Sequence, residues 1–269
     1  MGQVAGRAGE IAALLAAYDE QMRPAEVVNL PAGVRAERDG PIVRVVGQYR
    51  GFIGAPAVID LGDDALDALI ARQRDYFAAR GEAVEWKTRA HDRPEDLTDR
   101  LRAASFLPEP RETVLIGLAD QLSGQRMPLP QEVSIRSTVA PADMRRIAAM
   151  ESEVWHEDWS HLADDLIGRV QTGTMVVFVA EAGGEVVSTA WLVFKPGTEF
   201  AGLWGGSTLA EWRGKGIYRA LVARRADLAA ERGIRYLQVD ASDDSRPILQ
   251  RLGFVAVTTT TPYVWTPPE

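Results

Sequence analysis

Two segments of the chain repeat each other at a fixed distance. The segment ALIARQRDYFAARG (68–81) aligns with ALVARRADLAAERG (220–233) at an offset of 152 residues, and eight of the fourteen positions are identical. Both segments carry apolar residues at the spacing of an amphipathic helix, and both end on a glycine, which is typical of a helix C-terminus. The repeat therefore predicts two helices in equivalent positions of a duplicated fold.

The segments that follow each predicted helix also match in kind and order. Each copy continues with a strand-like segment, a helix-like segment and a β-rich segment. These lie at 83–89, 96–106 and 112–118 in the first copy, and at 234–240, 245–254 and 255–265 in the second. Because chance similarity of two helices rich in alanine and arginine would not extend downstream, we interpret the chain as a duplicated helix–strand–helix–strand unit.

The segment 119–132 separates the two copies. It contains Pro128 and Pro130 and has no clear periodicity, so we expect a linker there and two domains, 1–124 and 125–269. The second domain begins with helical patterns and continues with strand patterns joined by a Gly183-Gly184 hairpin turn. The helical patterns cover 141–153 and 161–172, and the strand patterns cover 175–182, 185–194 and 200–209.

The composition excludes several classes of function. The chain has no cysteine, which excludes disulfides, thiolate metal sites and a thiol nucleophile, and its three scattered histidines favour no metal site. Its net charge of −8 argues against nucleic acid binding and favours cationic small molecules as partners. The apolar segment IAALLAAY (11–18) is too short to span a bilayer, so we expect a cytoplasmic protein without a membrane partner.

A glycine-rich turn joins the strand pattern 200–209 to the helix pattern of the second copy. A helix that begins near Gly214 presents backbone N–H groups and the positive end of its dipole, which together favour an anion. Glycines at 214 and 216 allow close approach of that anion, and Arg213 and Lys215 add positive charge. The turn is therefore a predicted anion site.

Three phosphate-binding patterns compete for this turn. A P-loop requires Gly-Lys followed by a hydroxyl residue, but Gly216 stands there, and a dinucleotide fold requires a third glycine where Arg219 stands. The order RGKGIY, helix, strand and RPILQRLGF instead resembles the acetyl-CoA signature of the GNAT N-acetyltransferase superfamily, over residues 131–269. The resemblance implies an α/β fold of two tandem GNAT-like domains, each a mixed, mostly antiparallel sheet flanked by helices.

The resemblance also implies which residues contact acetyl-CoA. The family holds the acyl carbonyl with a backbone N–H at a splay in the fourth strand, the pantetheine beside the residues that follow, and the pyrophosphate with the amides of the loop. The implied residues are Gly206, Ser207, Thr208, Leu209, Ala210, Arg213, Gly214, Lys215, Gly216, Ile217, Tyr218, Ser242 and Ser245. The chain departs from the family pattern at Tyr218, where glycine or alanine is usual, and at Leu249, where many members carry a tyrosine that protonates the leaving thiolate.

Three carboxylates are candidates for the base that deprotonates an amine acceptor. Glu199 opens the strand pattern 200–209, near the position from which some relatives supply the base, although it also fits a solvated strand end. Glu151 and Glu153 lie on a helix pattern of the acceptor side. An alkyl ammonium has a pKa of about 10, so the site has to remove a proton before the amine can attack.

Aromatic residues follow the two carboxylates of the helix pattern. Trp155 and Trp159, with His156 and His161 nearby, fit the wall of a cleft for a cationic amine, and they also fit core packing. Both interpretations remain open at the level of the sequence.

The first copy lacks the cationic turn. Subtraction of the offset places LGDDALD (61–67) opposite RGKGIYR (213–219), with Asp63, Asp64 and Asp67 where a pyrophosphate would bind. Carboxylates repel phosphate, so we expect a degenerate first domain and one coenzyme site per chain.

These observations favour a direct N-acetyltransferase that uses acetyl-CoA, without a metal, to acetylate a small amine or amino acid, as a monomer or a homodimer. The alternatives are a non-catalytic acyl-CoA-binding or sensing protein and an interaction scaffold.

Overall fold

The computed structural model describes residues 2–268, which form a mixed α/β fold. The helices are α1 (Gly2–Ala17), α2 (Arg23–Ala25), α3 (Asp63–Arg80), α4 (Leu97–Ala103), α5 (Ala119–Leu122), α6 (Pro141–Trp155), α7 (His161–Val170), α8 (Ile217–Glu231) and α9 (Arg246–Leu252). The strands are β1 (Arg35–Asp39), β2 (Ile42–Val46), β3 (Gly51–Gly54), β4 (Val84–Arg89), β5 (Leu107–Pro108), β6 (Glu112–Leu118), β7 (Val133–Thr138), β8 (Met175–Ala182), β9 (Glu185–Phe194), β10 (Phe200–Thr208), β11 (Tyr236–Ala241) and β12 (Val255–Trp265). No helix among these residues has both the length and the apolar character that crossing a membrane requires.

The elements predicted around the repeat are confirmed. The helices α3 and α8 occupy the repeated segments, and each is followed by a strand, a short helix and a further strand. Gly81 ends α3 in the left-handed conformation, with a φ of 65°. Gly183 and Gly184 join β8 and β9 with φ values of 58° and 88°, as a tight hairpin turn requires.

One part of the chain differs from the prediction made from its sequence, and another part had no predicted elements. The expected linker 119–132 begins with the short helix α5, because Ala119 and Leu122 are buried and hold one helical turn in place. Sequence reasoning assigned no elements before residue 60, where the chain forms α1, α2 and β1–β3.

The described chain forms two compact units. The first contains the chain up to Leu115, Asp240–Pro247 and the chain from Ala256 onward, and the second contains Ile116–Val239 and Ile248–Val255. These units are defined by contacts within the folded chain. The predicted division into domains 1–124 and 125–269 stays a prediction.

The first unit contains a mixed sheet. Its strands lie in the order β1-β2-β3-β4-β12, and only the pair β3–β4 is parallel. The side chains of β12 complete its core, since Tyr263 and Trp265 pack with Phe77 and Trp86 among the buried residues. The unit therefore buries apolar residues from distant parts of the chain.

The second unit contains a sheet of the same kind. Its strands lie in the order β11-β10-β9-β8-β7, and only the pair β10–β11 is parallel. The helices α6, α7 and α8 cover its core through residues such as Ile147, Leu166 and Leu221. The mixed, mostly antiparallel sheet that the sequence predicts is confirmed in both units.

The two copies differ in the length of one connection. The strands β4 and β11 keep the offset of 152 residues, whereas the parallel pairing begins at Gly51↔Val84 in one copy and at Phe200↔Tyr236 in the other. The offset between Gly51 and Phe200 is 149 residues. The second copy therefore has three more residues between the start of the pairing and the repeated segment, which begins at residue 68 in the first copy and at residue 220 in the second.

A cluster of charged side chains is buried in the first unit. Lys87 on β4 forms an ion pair with Asp240. Glu112 on β6 lies close enough to be affected by both, and burial, followed by the negative charge of Asp240, raises its pKa to about 7. Glu112 therefore gains or loses its proton near neutral pH.

Candidate active site

The turn before α8 contains a series of free backbone amides. Gly214 and Gly216 adopt φ values of 75° and 86°, in the left-handed region that favours glycine. Within residues 2–268, the N–H groups of Gly214, Lys215, Gly216 and Ile217 have no hydrogen-bond partner. Such amides at a helix N-terminus suit a phosphate group, and binding of an anion by this turn stays a prediction.

Three cations surround the turn in different ways. The Nε of Arg213 donates to the carbonyl of Thr208 at 2.9 Å, so this side chain folds back on the end of β10. The Nζ of Lys215 lies 4.3 Å from the ring centroid of Trp212. Sequence reasoning did not assign Arg219 to the site, but its Nη2 lies 3.7 Å from the Cβ position of Gly216. The residues present fit a pyrophosphate.

The strand β10 has a bulge before the turn. It pairs with β9 at Trp204↔Trp191 and again at Ser207↔Thr189, and the register shifts between these pairs. Its parallel pairing with β11 covers only Phe200 to Gly202. A bulge leaves an extra residue outside the ladder of a sheet, so the main chain at residues 205 and 206 is released from regular pairing.

The two glycines of the bulge contact aromatic rings. A Cβ at Gly205 would overlap the ring of Trp191, and the φ of 58° at Gly205 also favours glycine. A Cβ at Gly206 would lie 2.6 Å from Cε2 of Tyr218, which is next to the carbon that carries the hydroxyl group. Both positions therefore require glycine, because an aromatic ring lies directly against the backbone at each of them.

The residue after the bulge is fixed from two sides. The buried Ser188 donates from Oγ to the carbonyl of Ser207 at 2.6 Å. The side chain of Ser207 also interacts with the carboxyl group of Glu151 on α6. The bulge thus has Trp191, Tyr218 and Glu151 around it, each from a different element.

Glu151 is a buried carboxyl group with one unsatisfied oxygen. Only 3% of the residue is exposed. Its Oε2 accepts a hydrogen bond from Nε1 of Trp155 at 2.8 Å, whereas its Oε1 has no partner within the described chain. Burial raises the pKa of Glu151, and the interactions with Ser207 and Trp155 oppose that effect. A buried group with these properties is suited to exchange a proton with a ligand.

The structure separates the other two predicted carboxylates from the bulge. Glu153 is exposed on α6, two residues from Glu151, and residues at that spacing do not share a helix face. Glu199 is half-exposed and lies 3.5 Å from Nη1 of Arg235. It precedes Ser207 by eight residues, a distance of roughly 26 Å along a strand. Glu151 is therefore the candidate that lies at the bulge.

The aromatic residues after Glu151 divide into two groups. Trp155 is 55% exposed and reaches Glu151 through its Nε1. Trp159 stacks on His161 with 5.7 Å between ring centroids and packs against the core. His156 is exposed in the left-handed conformation at the end of α6. Trp155 fits an acceptor wall, and Trp159 fits core packing.

The remaining predicted positions lie elsewhere. Leu209 is buried, and Ala210 begins a short turn between β10 and the glycines. Ser242 and Ser245 belong to the first unit, where the N–H of Ser245 donates to Oγ of Ser242 at 3.3 Å, and their contact with a coenzyme stays a prediction. Leu249 is fully buried and apolar, so it provides no proton donor.

The first unit has a different turn at the equivalent place. Gly62 has a φ of −66°, so no left-handed glycine precedes α3. Arg100 forms ion pairs with Asp63 at 2.6 Å and with Asp67 at 2.9 Å. This turn presents carboxylates, which repel phosphate groups.

Comparison with known proteins identifies the second half of the chain. The second unit is an α/β domain with free backbone amides at a glycine turn beside a bulged strand. Residues 143–254 match the model of the acetyltransferase (GNAT) family, and they form a GNAT domain. That family uses acetyl-CoA.

Solved structures share the fold over most of the chain. A GCN5-related N-acetyltransferase from Kribbella flavida is 17% identical, with 92% of this chain and 95% of that chain covered and a TM-score of 0.71. A tandem GNAT protein from the clavulanic acid biosynthesis pathway, solved without acetyl-CoA, is 15% identical, with coverages of 89% and 86% and a TM-score of 0.61. A GCN5-related N-acetyltransferase from Sphaerobacter thermophilus is 15% identical, with coverages of 86% and 82% and a TM-score of 0.60. No curated protein matches the chain.

Proposed function

We propose that this protein is an N-acetyltransferase that moves an acetyl group from acetyl-CoA directly to the amine of a small molecule or amino acid. The observation that supports the proposal is the position of the β10 bulge in the second unit. It follows Trp204, precedes the free amides of residues 214–217 and contacts the buried Glu151. An acyl transfer site requires a group that orients the acyl carbonyl, a group that holds the coenzyme and a base. The bulge, the free amides and Glu151 would supply them in that order.

The chain's own groups would bind and orient the coenzyme. The N–H groups of residues 214–217 would hold the pyrophosphate, and Lys215 and Arg219 would add positive charge. The main chain at Gly206 and Ser207 would orient the acyl carbonyl. A bound acetyl-CoA would supply the acetyl group as a thioester, whose carbon bonds to the amine nitrogen as the carbon–sulfur bond breaks.

Glu151 is the proposed base. Its unsatisfied Oε1 would accept a proton from the ammonium form of the acceptor. Because burial raises the pKa of Glu151, the proton transfer is better matched to an amine than it would be for an exposed carboxylate. The exposed ring of Trp155 beside it would hold a cationic acceptor.

Tyr218 is the proposed proton donor to the departing sulfur. The hydroxyl-bearing end of its ring lies against Gly206 at the bulge. The buried Leu249 stands at the position where many family members carry a tyrosine, so another group has to supply that proton. We further propose that the first domain has no coenzyme site and that the protein acts in the cytoplasm, where its small charged substrates occur.

The test is release of free thiol from acetyl-CoA on addition of a panel of primary amines, with acetyl-CoA alone as the control. The wild type should release thiol with at least one amine, and kcat/KM should rise with pH as Glu151 loses its proton. Glu151→Gln should lose this rise, and Tyr218→Phe should lower kcat. We expect each loss to be about 100-fold, the usual contribution of one acid or base.

Two results would contradict the proposal. Coenzyme A binding without turnover of any amine would favour the sensing protein, which the apolar Leu249 also fits. Calorimetry that detects no binding of coenzyme A at millimolar concentration would favour the scaffold.

A further inference from the structure

Arg225 on α8 is a buried cation beside the bulge. Only 1% of the residue is exposed. Its Nε donates to the carbonyl of Leu221 at 3.0 Å, and its Nη1 lies 3.4 Å from the carbonyl of Trp191 and 3.3 Å from the carbonyl of Trp204. No carboxylate among residues 2–268 forms an ion pair with Arg225. The guanidinium is thus held by backbone carbonyls.

Such a charge is costly to bury, because it leaves water without gaining an opposite charge. Burial lowers the pKa of Arg225 to about 10, and an interaction with Tyr218 opposes that effect. The guanidinium therefore stays charged at neutral pH. A folded chain that needed only to fill this space would be more stable with an apolar residue of similar size.

The first copy of the repeat has a neutral side chain at this place, and it forms hydrogen bonds with the charged side chains of Arg44 at 3.3 Å and Asp39 at 2.7 Å. Gln73 occupies the equivalent position on α3 and is also fully buried. Its Nε2 donates to the carbonyl of Leu69 at 3.3 Å, four residues earlier, as Arg225 does with Leu221. The neutral side chain occurs in the copy whose turn is acidic. The charged side chain occurs in the copy with the free amides.

The carbonyls that Arg225 contacts mark the point where the ladder opens. Trp204 is the last residue of β10 that pairs with β9 before the bulge, and Trp191 is its partner. Arg225 therefore joins the two strands to the helix that begins at the glycine turn. We propose that Arg225 is a positioning residue that fixes the bulge, so that its main-chain N–H points at the acyl carbonyl of the bound thioester. This inference rests on the proposed N-acetyltransferase function.

The test compares the affinities of acetyl-CoA and coenzyme A, which differ only in the acyl group. In the wild type, the hydrogen bond to the acyl carbonyl should make acetyl-CoA bind roughly 2–10-fold more tightly than coenzyme A. Arg225→Met keeps an unbranched apolar stem and removes the charge and the donors. It should keep the affinity for coenzyme A, lose the preference for acetyl-CoA and lower kcat by about 100-fold, because the thioester is misplaced.

Two further variants complete the comparison. Arg225→Lys keeps the charge but replaces the rigid guanidinium fork with a single ammonium, so it should lose most of the preference and of kcat. Arg224→Met removes a neighbouring arginine that is exposed on the same helix. Arg224→Met should match the wild type in its affinity for coenzyme A, its preference for acetyl-CoA and its kcat. Thermal unfolding of each variant identifies any that does not fold, and Arg225→Lys then decides the test if Arg225→Met is unfolded.

A folded variant of Arg225 that retains both the wild-type kcat and the preference for acetyl-CoA would overturn the inference. Equal losses of affinity for coenzyme A and acetyl-CoA would also overturn it, because they would indicate a general structural role. A wild type that binds no coenzyme A would overturn the proposed function itself, and the inference with it.

Discussion

Burial decides the role of individual ionisable residues in this protein. Glu151 and Glu153 lie two residues apart on α6, but only Glu151 is removed from solvent, which raises its pKa. In the first unit, Glu112 shares a buried region with Lys87 and Asp240, and its pKa rises to about 7. The same type of side chain is therefore more readily protonated in one place and a solvated charge in another.

Glu112 predicts a dependence of stability on pH. The pKa of Glu112 is about 7 in the folded protein, against about 4.5 for an exposed glutamate, so the folded state binds more protons between these values. Its contribution to stability is complete below the unfolded pKa and is lost as pH rises through the folded pKa. Glu112→Gln should remove this loss and be more stable than the wild type by about 2 kcal/mol at alkaline pH.

Urea unfolding of both proteins at several pH values measures this difference. Glu109→Gln, which removes a more exposed neighbouring carboxylate paired with Arg50, is the matched control and should follow the wild type. A difference between the wild type and Glu112→Gln that is constant from acidic to alkaline pH would contradict the assignment.

The local sequence does not reveal which side chains are buried. Arg224 and Arg225 are adjacent in a helix rich in alanine and arginine, yet one is exposed and the other is 1% exposed. Sequence reasoning proposed Glu151, Glu153 and Glu199 together, and only the folded chain separates them. A motif can indicate which residues are candidates for a role. Their exposure to solvent depends on elements that are distant in the chain.

At the scale of elements, the glycine turn and the repeat were predictable for a physical reason. Glycine is the residue that enters left-handed backbone without strain, so the spacing of Gly214 and Gly216 already specified the turn. The bulge at Gly205 was predicted as a splay. The three additional residues of the second copy were missed, because a constant offset of 152 hides an insertion between two matched elements.

Substitution of Gly214 tests the turn. Gly214→Ala places a Cβ at a φ of 75°, which strains the backbone and crowds the free amides, so the affinity for coenzyme A should fall about tenfold or more. Gly124→Ala is the matched control, since Gly124 has a φ of 73° and equally open space around its Cβ position. Calorimetry with coenzyme A should show an unchanged affinity for the control. Equal affinities of the two variants would mean that the phosphates bind elsewhere.

At the scale of the whole molecule, the first unit depends on a strand from the far end of the repeat. The strand β12 pairs with β4 from Thr260↔Arg89 to Trp265↔Val84. Its Tyr263 and Trp265 contribute to the core of that unit. A periodic sequence could not reveal this assignment, because β6 and β12 have equivalent places in the two copies.

A fragment of residues 1–124 tests this dependence. It lacks β12, so it should show no cooperative unfolding, and the amides of β4 should exchange rapidly with solvent. A synthetic peptide of residues 254–268 should restore both properties. The same peptide with Tyr263→Ser and Trp265→Ser should not, since it lacks the side chains that enter the core. Cooperative unfolding of the fragment alone would instead support independent domains divided after residue 124.

The pairing of β4 with β12 also sets an order of events during translation. When Arg89 leaves the ribosome, its partner Thr260 is still 171 codons away, a delay of roughly ten to thirty seconds at ordinary elongation rates. For that time the nascent polypeptide presents β4, with the indole of Trp86, lacking the strand that will cover its edge. Chaperones that recognise unpaired apolar strands would find their substrate in the half of this protein that is made first.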